Sequence, residues 1–180
     1  MLMNYEECIK KYHDELGIKK AIESKNLFKL EKGVYSDKEY VNEVEIIVFK
    51  YPKGVVTLDS ALYYLDYTDV IPEKTHLATD KDASKIKDDR VIQVFDNSGM
   101  TFLGTERKII DNIEMLIYDK ERLLVEVIRY RFKLPFDFYK EVINNYRKNL
   151  DELDFQKLQD YIEQLPKSER VREIIKMEVL

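Results

Sequence analysis

From Asp119 to the C-terminus the apolar residues recur at helical spacing, and this run constrains the fold more than any other feature of the chain. Asp119 can cap a helix reaching about Arg131, with Leu123, Leu124, Val127 and Ile128 on one face. Pro135 suits the first turn of a second helix, whose Phe138, Val142, Ile143 and Tyr146 point inward. Asp151 or Asp154 can open a third helix ending at Pro166, and Ser168 caps a fourth through Ile174 and Ile175. One-sided helices bury their apolar faces against another layer, so a sheet is expected beneath them.

The middle of the chain supplies that layer. Val55-Val56-Thr57 is short and β-branched, His76 to Thr79 and Val91 to Phe95 read as strands, and Ile71-Pro72 interrupts. Lys108 to Ile110 and Ile113 to Tyr118 flank Asp111-Asn112, a pair suited to a tight hairpin turn. Two helices are expected here as well. One runs from Tyr40 to Tyr51 behind a Ser36/Glu39 capping box, and the other lies over Leu58 to Asp66. With 5 Gly and 4 Pro there is little room for a linker or a glycine-rich phosphate loop.

The N-terminal segment has a different rhythm. Tyr5, Cys8, Ile9, Tyr12 and Leu16 share a helix face, and Gly17 stands where a left-handed cap would end it. A short second helix is expected from about Ile18 to Lys25, stopped by Asn26. Leu27 to Leu30 and Val34-Tyr35 then flank a turn in which Gly33 provides a positive φ. Helix, turn, short helix and basic hairpin is the order of a winged helix-turn-helix. Three or four residues before Tyr5 leave no space for a leading helix, so the module is expected to be a shortened one. The fold class is therefore α+β. A winged-helix-like module over 1–36 precedes a body over 37–180 with a mixed core and a helical C-terminal bundle.

Composition narrows the function classes. A chain that is 44% hydrophobic and 36% charged can bury a core under a solvated surface, which excludes wholesale disorder. No stretch approaches the ~18 apolar residues of a spanning helix, and the N-terminus lacks the pattern of a signal peptide. The single Cys8 suits a reducing compartment. A cytoplasmic protein without membrane partners is expected. The net charge of −5 is uneven: residues 1–36 are net +1 and residues 37–180 net −6. Between residues 17 and 36, Lys19, Lys20, Lys25, Lys29 and Lys32 face only Glu23 and Glu31. The field at a contact is set within about 8–10 Å, so a basic segment on an acidic body can still meet phosphates. Lys19, Lys20, Ser24 and Lys25 are the candidates for the groove and its flanks, and Lys29 and Lys32 for a phosphate strand along the wing. Solvated surface lysines are the competing account. DNA binding is expected to be weak for a monomer and to improve with dimerisation or paired sites.

Signals for catalysis are scarce. His13 and His76 are the only histidines, and no zinc-type spacing occurs, so neither a metal nor another cofactor is expected. Ser60 lacks a nucleophile elbow and a third partner, and reads as a helix cap. Asp88-Asp89 and Asp151-Glu152 fall in polar runs, without the cleft that separates the pKa values of an acid–base pair. Nothing points to an enzyme. The aromatics Phe138, Tyr146, Phe155 and Tyr161 sit at core spacing rather than as a base-stacking platform, while Tyr35, Tyr51 and Tyr67 are less easily placed.

Three stretches together resemble the AbiEi family of antitoxins, from abortive-infection type IV toxin–antitoxin systems. They are Phe28-Lys29-Leu30-Glu31-Lys32-Gly33-Val34-Tyr35, then Val56 to Tyr64 with Thr68-Asp69-Val70-Ile71-Pro72, then Tyr118-Asp119-Lys120-Glu121-Arg122. The resemblance spans about residues 17–165 in the family's order. Leu65-Asp66 stand where the family often has His-Gly, and Leu123 and Glu126 replace the Thr and Asp of its third motif. The resemblance implies an N-terminal winged helix that represses its own operon at promoter repeats. It also implies a C-terminal domain that counteracts a nucleotidyltransferase-like toxin without a stable complex. Two other classes stay open: a stand-alone winged-helix regulator, and an enzyme with an unrecognised site.

Overall fold

In the computed structural model, which describes residues 1–180, the chain divides into units Met1–Pro52 and Lys53–Leu180, each with its own sheet. The first unit opens with strand β1 (Leu2–Met3), and Asn4 then starts helix α1 (Tyr5–Tyr12) through a reciprocal capping box with Glu7. α1 stops at His13, whose φ is 73°, before the expected end at Leu16. Asp14 is the reason: its carboxylate accepts from the Gly17 N–H at 2.7 Å and begins α2 (Glu15–Glu23). Gly17 is thus no cap of α1 but lies in the first turn of α2. A Cβ there would stand 2.1 Å from the Tyr12 carbonyl oxygen, so only glycine lets the two helices meet so closely. α2 ends at Ser24, with Lys25 rather than Asn26 in the left-handed region at φ 58°.

Strands β2 (Phe28–Glu31) and β3 (Val34–Ser36) follow as an antiparallel hairpin with Gly33 at φ 80°. β1 joins the far side of β3, giving the order β1-β3-β2. Met3, Cys8, Ile18, Ala21, Leu27 and Tyr35 make the core between this sheet and the two helices. The compact unit continues beyond residue 36 through α3 (Glu43–Lys50), tied back by a 3.1 Å Lys50–Glu31 ion pair. α3 starts later than Tyr40 because Asn42, not Ser36, caps it, accepting from the Val44 N–H. Ser36 ends β3 and accepts from the Lys38 N–H instead.

The second unit is a five-stranded mixed sheet under helices. Its elements are β4 (Val55–Val56), α4 (Leu58–Tyr64), β5 (Thr75–Asp80), β6 (Val91–Asp96), β7 (Thr105–Ile110) and β8 (Ile113–Tyr118). α5 (Lys120–Tyr130), α6 (Phe136–Lys148), α7 (Phe155–Gln164) and α8 (Ser168–Glu178) complete it. The strand order is β6-β5-β4-β8-β7, with β4 antiparallel to β5 and parallel to β8. Asp111 and Asn112, at φ 52° and 63°, make the β7–β8 hairpin as their residue types require. β5 and β6 run parallel, joined by a loop that the Gln93 amide braces: it accepts from the Ile86 N–H and donates to Thr79 and Ser84.

Asp119 caps α5, its carboxylate accepting from the Arg122 N–H at 2.8 Å. α5 packs against α4, α7 and α8, and every residue from Glu121 to Ile128 is buried. In α6, Tyr139 rather than Phe138 joins Val142, Ile143 and Tyr146 in the core. Asp154, not Asp151, caps α7. Lys167, in the left-handed region at φ 67°, precedes α8, so Ser168 is its first residue and not its cap. No helix of the protein is long and apolar enough to cross a membrane.

Candidate nucleic-acid interface

In the first unit, α2 is amphipathic about a buried Ile18 and Ala21, which places Lys19 and Lys20 on its exposed side. Lys25 is exposed just beyond its end, Lys29 on β2 opposite Tyr35, and Lys32 in the hairpin turn beside Gly33. None of these five lysines makes an ion pair, in contrast to Lys50 with Glu31. Their ammonium groups are therefore available to phosphate oxygens. Glu15 and Glu23 are the exposed acids on the same helix. Ser24 is exposed too, but its hydroxyl donates to the Ala21 carbonyl at 3.2 Å and accepts from the Asn26 side chain at 3.0 Å. It serves the helix end first. His13 is exposed at the α1–α2 junction, where its positive φ makes the turn.

The second unit brings together residues that the sequence does not connect. Arg122 is fully buried, at 0% exposure. Its guanidinium donates to Glu126 at 3.0 Å, to the Met100 and Leu103 carbonyls at 3.0 Å each, and to Asp96 at 3.5 Å, and it lies over the Tyr118 ring. Burial raises the Asp96 carboxyl, but hydrogen bonds from Ser98 and the Arg122 charge outweigh it and hold the group below its ordinary value. Asp119 accepts a 2.8 Å hydrogen bond from the Tyr161 hydroxyl, and burial followed by that bond pushes the phenol up. Gly104, at φ 71°, admits Arg122, because a Cβ there would stand 2.6 Å from the Arg122 Cβ. Asp119 and Arg122, two residues of the third resemblance motif, thus anchor a buried network. Asp96 and Gly104 carry no local signal that would have found them.

Ser60 is buried, and its hydroxyl donates to the Lys74 carbonyl at 3.3 Å and accepts from the His76 N–H at 2.9 Å, which fixes α4 to β5. His76 and Asp59 line a cleft of about 450 Å³ with Tyr130, Lys133 and Phe95. Burial lowers the His76 pKa, opposed by the Asp59 charge, so the imidazole favours its neutral form. A second cavity, of about 350 Å³, has walls of mixed charge. Of the aromatics left unplaced by spacing, Tyr35 and Tyr67 are core residues. Phe155 of the core-spaced set is exposed at the start of α7.

Compared with known family models and with curated proteins, the chain matches none.

Proposed function

We propose that the protein is a DNA-binding regulator of the antitoxin type. Its first unit is read as a shortened winged helix-turn-helix on promoter DNA of its own operon, in the cytoplasm. The observation that carries this reading is the first unit's strand order β1-β3-β2, closed around two helices, with unpaired lysines on α2 and on the hairpin. In a winged helix the second helix enters the major groove and the hairpin follows a phosphate strand. Lys19, Lys20 and Lys25 then meet the groove and its flanks, and Lys29 and Lys32 the backbone. The antitoxin half rests on the AbiEi resemblance. The second unit would counteract a nucleotidyltransferase-like toxin.

Fluorescence anisotropy with the gene's own upstream region against scrambled DNA, at two salt concentrations, tests the first half. Preference for the upstream region is expected, with a salt slope no steeper than about −4.5 for five phosphate contacts. Equal and negligible binding to both at low salt overturns it. Growth rescue on co-expression with an adjacent nucleotidyltransferase-like gene tests the second half. Failure at matched toxin levels leaves a stand-alone regulator.

A further inference from the structure

Phe132 lies in the connection between α5 and α6, and Phe136 is the first residue of α6. Neither joins the core: they are 78% and 71% exposed. Single apolar residues are ordinary on a protein surface. These two differ in the cations held at their rings. The Arg131 guanidinium lies 4.6 Å from the Phe132 centroid, and that of Arg170, from α8, lies 5.5 Å from it. The Lys140 ammonium stands 5.3 Å from the Phe136 centroid, and that of Lys133 stands 4.9 Å from the Tyr130 ring.

The charge at this corner runs against that of the body around it. Residues 129–140 hold four cations and one acid, Asp137, whereas residues 37–180 as a whole are net −6. Arg129 and Arg131 are already paired, with Glu126 at 2.6 Å and with Glu178 at 3.3 Å. Lys133, Lys140, Lys167 and Arg170 are exposed and make no ion pair. Lys167 and Arg170 line one shallow depression with Phe132. Exposed cations meet phosphate or carboxylate oxygens alike, but an exposed ring gains most from a flat π-face laid upon it. An acidic peptide brings carboxylates without such a face, and a duplex brings phosphates with its base faces already stacked. Unpaired nucleotides bring both.

We propose that the α5–α6 corner of the second unit binds single-stranded nucleic acid, its bases stacking on Phe132 and Phe136 and its phosphates meeting Arg170, Lys167, Lys140 and Lys133. The four-residue step between the two rings keeps their backbones within about 14 Å, a span that a short flexible strand can follow. Stacking of this kind tolerates any base, so affinity without marked sequence preference follows. The site is independent of the duplex interface of the first unit and of the antitoxin reading.

The test titrates the full chain into fluorescein-labelled oligothymidylate and oligouridylate of about twelve nucleotides, read by anisotropy, with an oligoglutamate peptide of equal charge as control. Saturable binding of one or both oligonucleotides is expected, the two arms separating DNA from RNA, with weaker binding of the peptide. Phe132→Ala and Phe136→Ala remove exposed rings only, so the urea midpoint should stay in place. Each should weaken oligonucleotide binding about tenfold, the loss of one stacked base. Arg170→Gln should flatten the salt slope by about 0.7, one phosphate of a single strand. No saturable binding at low salt up to about 0.1 mM protein overturns the site. So does peptide binding as tight as that of the oligonucleotides, which would assign the corner to an acidic protein. Binding that survives the double Phe variant, or that is lost with Lys29→Ala and Lys32→Ala instead, overturns it as well. Self-association abolished by the double Phe variant, without oligonucleotide binding, would give the corner to a second copy of the chain.

Discussion

Residues 1–52 bury a cluster of six, Met3, Cys8, Ile18, Ala21, Leu27 and Tyr35, and keep every lysine except the half-buried Lys50 at the surface. Residues 53–180 instead carry a fully buried arginine in their core, with Asp96, Asp119, Glu121 and Glu126 buried too. The difference follows from size and covering. Two short helices on a three-stranded sheet have one apolar side each, and any charge finds water. α5 is covered by α4, α7 and α8, so no side of it remains for its charged residues, and they must find partners inside. The first unit is therefore held mainly by apolar burial, which responds little to pH, and most of its charges stay in water. The second depends on charges remaining paired.

That contrast can be broken most severely at Leu124, fully buried on α5. Leu124→Asp puts an unpaired carboxylate among apolar neighbours and should cost about 5 kcal/mol, enough to unfold the second unit. Unchanged urea denaturation would mean that α5 is not central. Arg122→Met strands the Asp96 carboxylate, leaves Glu126 only its 2.6 Å pair with Arg129, and should cost about 3–5 kcal/mol. Adding Asp96→Asn and Glu126→Gln to Arg122→Met should recover most of that loss. A triple variant no more stable than the single one would show that the arginine acts through packing rather than charge.

A smaller effect is expected from pH. The folded Asp96 carboxyl lies below its ordinary value, so its stabilisation is complete above the unfolded pKa of about 3.9 and fades as pH falls through the lower folded value. The urea midpoint of the natural chain should therefore exceed that of Asp96→Asn near pH 5, with the gap closing toward about pH 3. A constant gap would detach Asp96 from the Arg122 charge. The smallest effect on stability belongs to the first unit. Replacing Lys29 and Lys32 together by Ala should shift the unfolding midpoint by no more than about 0.5 kcal/mol equivalent. The same change should flatten the salt slope of DNA binding by up to about 2. Loss of stability there would show that these lysines hold the hairpin itself.

What lies within a few residues was legible from the chain. Asp111-Asn112 makes its turn because both residue types tolerate positive φ, and Asp119 caps α5 because a short carboxylate reaches the N–H three residues on. The exposure of Lys19, Lys20, Lys25, Lys29 and Lys32 follows from the same local periodicity. Gly17 shows where such reasoning stops. A helix boundary does fall near it, but the reason for glycine is the approach of the Tyr12 carbonyl, which spacing cannot show. Arg122 reads locally as an ordinary charged residue in a first helical turn. Its burial was decided by Asp96, 26 residues away, and by Gly104, which leaves room for it. Periodicity and capping act through bonds between near neighbours, so they are written in the local sequence. The fate of a charge depends on which distant elements exclude water around it, and only the assembled sheet and helices determine that.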